Sequence, residues 1–148
     1  MMRRAATLLA LAGLVAGAQV ARADDGATIY KRCAACHLAD GAGVPGAFPS
    51  LKVDTKALAA TPAGRRYLAL AVIRGVSGPL TVGGKAYRGT MPAQAGLNDA
   101  QVAAVLNHVV KGSSARAFTP REVAGYRAGG SALNGAAVAR LRPGSAAK

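Results

Sequence analysis

A chain of 148 residues with a formal net charge of +13 suits one domain around one modest core. Nineteen basic against six acidic side chains favour an acidic partner surface, and no recognisable nucleic-acid motif accompanies the charge, which argues against DNA or RNA. The composition is 51% hydrophobic, yet it has no Trp, two Phe and four Tyr, so a core of protein alone would be marginal.

The chain opens with a basic start, Arg3-Arg4, followed by an apolar run over residues 5–18 and the small-x-small triplet Ala21-Arg22-Ala23. This is the pattern of a secretory signal cleaved after Ala23. The run is short and rich in Gly and Ala for a bilayer span. The expected location is the periplasm. Residues 24–113 then form the folded domain, and residues 114–148 a C-terminal extension. Cleavage at Ala23 leaves 125 residues carrying about +10.

Residues 24–33 read as a short helix with Asp24 and Asp25 at its start, where negative charge suits the helix dipole. Residues 38–54 are loop, punctuated by Gly41, Gly43, Pro45, Gly46 and Pro49. A second helix begins at Thr61, with Pro62 at the first helical position and Gly75 at the end. Leu68, Val72 and Ile73 form its apolar side. The following irregular segment could hold a short hairpin turn at Gly83-Gly84. The clearest helix follows Asn98, which makes a capping box with Gln101; Leu97 and Val102 can staple its start. Val102, Val105, Leu106 and Val109 repeat at helical spacing, and Gly112 ends the helix. Thr119 and Glu122 suggest a further capping box for one or two helical turns, ending at Gly129-Gly130. Residues 131–148 have few large apolar groups and are expected to be disordered.

Cys33, Cys36 and His37 form the cluster CAACH, which holds both cysteines of the chain. A disulfide between them would close a very small loop and stabilise little. Structural zinc needs four protein ligands, and no second pair exists. A dithiol redox site belongs at a helix start among alternating strands and helices, a pattern not visible here. Cys-x-x-Cys-His is the attachment signature of c-type haem. Two thiols one helical turn apart can reach two vinyl groups on one porphyrin edge, and the next residue offers its imidazole to the iron. Haem also accounts for the thin core, since a flat apolar body can fill its centre.

Iron held by one His has a second axial position, which Met, His, Lys or no protein donor can take. Met91 is the only methionine beyond the signal. It lies in an irregular loop beside Gly89 and Pro92, away from any apolar stripe, so ligation is favoured over core filling. His108 is the rival. It flanks the Val/Leu stripe of the last helix at roughly 100° per residue, which favours packing or hydrogen bonding over iron ligation.

With these motifs in order, residues 26–112 resemble class I cytochromes c. "GATIYKRCAACH" resembles the family's N-terminal helix and attachment motif, "GTMPA" its axial Met loop and "LNDAQVAAVLNHVV" its C-terminal helix. The resemblance implies an all-α cytochrome c fold: three main helices around one covalently bound haem c, with long irregular loops. It implies that the first and last helices cross near Tyr30 and His108. It further implies, from "FPSL", that the Pro49 carbonyl accepts from the His37 ring and that Leu51 packs on the haem.

The expected function is one-electron transfer through His37- and Met91-ligated haem, without catalysis by the chain itself. The loop and tail look most like cytochromes that accept electrons in periplasmic dehydrogenases. A membrane oxidase or a downstream cytochrome would be the other partner. Lys31, Arg32, Lys52, Lys85 and Arg88 are candidates for steering an acidic docking surface. The alternative is a haem peroxidase or gas-binding protein with a labile sixth ligand.

Overall fold

A computed structural model describes residues 25–144. The signal segment and its cleavage site lie outside the described residues. Among the described residues, seven helices and four short strands follow in the order α1 (Gly26–Tyr30), α2 (Ala34–His37), α3 (Thr55–Ala59), α4 (Pro62–Arg74), β1 (Val76–Ser77), β2 (Leu80–Val82), β3 (Lys85–Tyr87), β4 (Thr90–Met91), α5 (Asp99–Val109), α6 (Pro120–Gly129) and α7 (Gly135–Arg140). The fold is mostly helical with long loops, as expected of a cytochrome c fold.

The first helix is shorter than residues 24–33. Asp25 is its N-cap and accepts from the Ala27 N–H at 3.2 Å. Its close packing on α5 has a simple cause. A Cβ on Gly26 would stand 2.2 Å from the Ala104 carbonyl oxygen, so only a hydrogen allows the two backbones to approach this closely. One turn further on, the Tyr30 and His108 rings meet with centroids 5.1 Å apart and planes tilted by 41°. The two residues thus occupy the expected crossing, where half-buried His108 is a packing residue.

Local signals set the other main helices. The Thr61 hydroxyl accepts from the Gly64 N–H at 3.1 Å, and Pro62 needs no N–H at the helix start. Gly75 ends α4 at φ +76°, where a side chain would be strained. Asn98 and Gln101 form the reciprocal capping box of α5 at 2.9 and 3.0 Å. Gly83 and Gly84 both have positive φ and join β2 to β3 in the hairpin that pairs Leu80 with Tyr87. Residues 55–59, which carry no element in the sequence reading, form α3.

The C-terminal extension departs most from expectation. Residues 131–144 are not disordered throughout. Asn134 caps α7 by accepting from the Ala137 N–H at 2.9 Å, and Val138 is fully buried. Alanine favours helix, and α7 packs on β1 and α4. Helix α6 is also longer than one or two turns. Its Thr119 cap accepts from Glu122 N–H at 3.2 Å, but the Glu122 carboxylate turns to Arg65, Arg116 and Tyr126 instead of closing the expected box.

Because α5, α6 and α7 all pack on α4, that helix is buried on more sides than its Leu68–Ile73 stripe suggested. Ala69 and Leu70 are fully buried, whereas Val72 is half-buried. The core runs continuously from Ile29 and Leu106 to Phe118, Val123 and Val138. The boundary expected at residue 113 therefore does not divide that core.

Candidate functional site

The site grows from one turn of chain. The Cys33 N–H donates to Tyr30 at 2.8 Å, and the His37 N–H donates to Cys33 at 2.9 Å. Cys33 is the N-cap of α2, and its φ and ψ are already helical. Both cysteines are half-buried, while His37 is buried at 7% exposure. Directly after His37 the chain reverses through Leu38, at φ +63°. A non-glycine residue there costs about 1–3 kcal/mol. The Tyr30 hydroxyl donates to the Leu38 carbonyl at 2.9 Å and helps hold this turn.

The loop beyond is held to the same point. The Gly43 N–H donates to His37 at 3.0 Å, and the Leu51 N–H to Gly41 at 2.8 Å. Gly43 has φ +66°, and a Cβ there would meet the Phe48 carbonyl oxygen at 2.5 Å. These contacts bring the Pro49 carbonyl to 2.9 Å from His37 Nδ1. A carbonyl only accepts, so the pairing assigns the proton to Nδ1 and leaves the Nε2 lone pair available to a metal.

Cys33, Cys36, His37, Pro49, Leu51 and Met91 all line one cavity of about 200 Å³. Leu68 and Val72 of α4, with Val105, Leu106 and Val109 of α5, give it apolar walls. Met91 is half-buried and lies in β4, not in an irregular loop: its backbone pairs with Val76 in a two-residue antiparallel ladder. Gly75 is packed so closely that a Cβ would meet the Met91 carbonyl oxygen at 2.4 Å. The sequence showed no strand because a two-residue ladder carries no periodicity.

This donor set fits covalent haem. It offers two sulfurs half-exposed, a fixed imidazole, a thioether on a separate element and apolar walls. It does not suit the competing chemistries. Burial pushes the Cys33 thiol up, with Arg32 only partly opposing it, whereas a reactive dithiol needs a lowered thiol pKa. The strands form two separate antiparallel pairs, not the sheet of a thioredoxin-like fold. Among the described residues, no three His, Cys, Asp or Glu side chains gather as metal ligands. His108 packs on Tyr30 and is not among the cavity-lining residues.

Asp54, Tyr67 and Arg142 also line the cavity and were missed by sequence reasoning. Arg142 was hidden in a tail rich in Ala, Gly and Ser. The available signal was Asn134 as a cap before an Ala-rich run, with Val138 and Leu141 three residues apart.

The cavity and its residues define a class I c-type cytochrome, an electron-transfer protein with covalently bound haem c. The family model described as Cytochrome c matches residues 23–113, and the chain belongs to that family. Among its relatives is a cytochrome c-552 from one strain of Thermus thermophilus, 41% identical over 122 residues, covering 78% of this chain and 82% of that protein. Another cytochrome c-552 of Thermus thermophilus is 41% identical over 111 residues, covering 70% of this chain and 85% of the relative.

Proposed function

We propose that the chain is exported to the periplasm and carries single electrons there, with haem iron held by His37 and Met91. The observation that carries this reading is the meeting of a Pro49-fixed imidazole and the Met91 thioether in one apolar cavity. Bound haem supplies a one-electron iron couple. The protein's part would be to hold His37 and Met91 in place as donors to it, so that oxidation and reduction need little rearrangement. His37 keeps its ring orientation through Pro49. Met91 is held by the β1–β4 ladder and by close packing on Gly75.

A dehydrogenase as donor and a downstream cytochrome or membrane oxidase as acceptor fit this role. Arg32 and Phe48 are exposed residues of the cavity wall, one a cation and the other an apolar contact. Lys31, Lys85 and Arg88 are further exposed cations. Lys52 pairs with Asp40 at 2.6 Å, which makes it a weaker steering group. An acidic partner is therefore favoured, with association slowed by salt.

Met91→Ala tests the ligation. Haem should remain attached through Cys33 and Cys36, the long-wavelength Met-to-iron absorption should vanish, and the reduction potential should fall. Carbon monoxide or cyanide should then bind readily. An unchanged spectrum with no gain in ligand binding would reject Met91. Resting wild-type protein that lacked the Met-to-iron band and bound these ligands would favour the peroxidase or gas-binding alternative.

A further inference from the structure

The strand that carries Met91 has little of its own to hold it. Strand β1 meets β4 through two residue pairs, Val76 opposite Met91 and Ser77 opposite Thr90. So short a ladder is marginal at best in water unless other elements pack on it. Gly75 gives part of that packing, since a Cβ there would meet the Met91 carbonyl oxygen at 2.4 Å and the Ala93 nitrogen at 2.8 Å.

The C-terminal extension gives the rest. Helix α7 packs on β1, and its first residue, Gly135, lies against the strand backbone. A Cβ on Gly135 would stand 3.0 Å from Ser77 Oγ, 3.1 Å from the Ser77 nitrogen and 3.3 Å from the Val76 carbonyl carbon. A glycine is what lets the helix start rest this close to the strand.

Helix α7 is anchored independently of β1. Asn134 caps it by accepting from the Ala137 N–H at 2.9 Å. Val138 is fully buried, and the helix also packs on α4. Just beyond its end, the Arg142 guanidinium pairs with the carboxylate of Asp54, the residue that opens α3. A close-packed contact on so fixed a helix passes any shift on to its neighbours.

We propose that Gly135 is a positioning residue for Met91, with α7 as the backstop of the strand that presents the thioether. Gly135 sets Val76 and Ser77, and Val76 sets Met91 across the ladder. The extension thereby governs how readily Met91 withdraws and lets an external ligand in. The inference rests on Met91 being the second axial donor to haem iron.

The experiment compares holoproteins by their Met-to-iron absorption and by their rate of cyanide binding, which requires Met91 to leave. Gly135→Val drives its side chain into β1. It should keep its haem, lose much of the band and bind cyanide roughly tenfold faster, the scale of one overpacked contact. Gly135→Ala should fall between it and wild type. Asn134→Ala adds no bulk and only loosens α7, so it decides the matter if Gly135→Val does not fold. Loss of one cap should speed cyanide binding roughly fivefold. Glu122→Gln is the control, because it frees α6 from Arg65 of α4 rather than α7 from β1; both readouts should stay at their wild-type values.

An unchanged band and cyanide rate in Gly135→Val would overturn the proposal, as would an unchanged rate in Asn134→Ala. Equal changes in Glu122→Gln would overturn it too, by tracing the effect to general loss of stability. Wild-type holoprotein without a Met-to-iron band rejects the Met91 reading and this inference with it. A normal wild-type band with unmoved variants rejects the inference alone.

Discussion

Glu122→Gln should test how the extension is fastened to the cytochrome body. Arg65 is 3% exposed, and its five donors are all used. Two go to Glu122 at 2.7 Å each, and three to the carbonyls of Ala59, Arg116 and Ala117 at 2.8–3.2 Å. The guanidinium carbon also lies 3.8 Å from the Phe118 ring centroid. Hydrogen bonding to Arg65, chiefly, holds the Glu122 carboxyl at about 2, down from its ordinary 4.5. At about 1.4 kcal/mol per pH unit, that depression corresponds to about 3 kcal/mol of folding stability.

A lowered carboxyl pKa stabilises the folded state above pH 4.5, and the contribution fades as pH falls through about 2. Urea unfolding followed by far-UV circular dichroism should therefore find Glu122→Gln about 3 kcal/mol less stable at pH 7, with a narrowing gap below pH 4.5. Arg116→Ala is the control. That side chain is 66% exposed, so losing its pair with the same carboxylate should cost under about 1 kcal/mol. A Glu122→Gln gap that is small at pH 7, or unchanged down to about pH 2.5, would refute the reasoning.

Gly26→Ala should lower the unfolding free energy by about 1–3 kcal/mol, because the added methyl meets the Ala104 carbonyl at the α1–α5 crossing; thermal unfolding of the holoprotein would measure it. Gly75→Ala should weaken the Met-to-iron absorption while haem stays attached, since its methyl would displace β4 at the Met91 carbonyl. An unaltered band would show that β4 tolerates the shift. Together with Met91→Ala, it separates loss of the thioether from loss of its position.

Features whose causes lie within a few residues were legible before any fold was known. The CAACH spacing, the Thr61 and Asn98 caps, the Gly83-Gly84 turn and the α5 stripe are of this kind. Each is a matter of local dihedrals, local hydrogen bonds or helical period. The class of cofactor followed from them. How the extension is used emerged only from long-range packing. Arg65 and Glu122 are 57 residues apart in the chain, and Arg142 and Asp54 are 88 apart. Such pairings leave no periodic mark, because they arise only when α6 and α7 fold back over α4. The same packing buries Leu70 and Val138 and turns an Ala-rich tail into part of the core. Met91 was visible as a candidate donor, but its strand was not. A ladder of two residues depends on Val76 being brought opposite, and that proximity is a property of the fold.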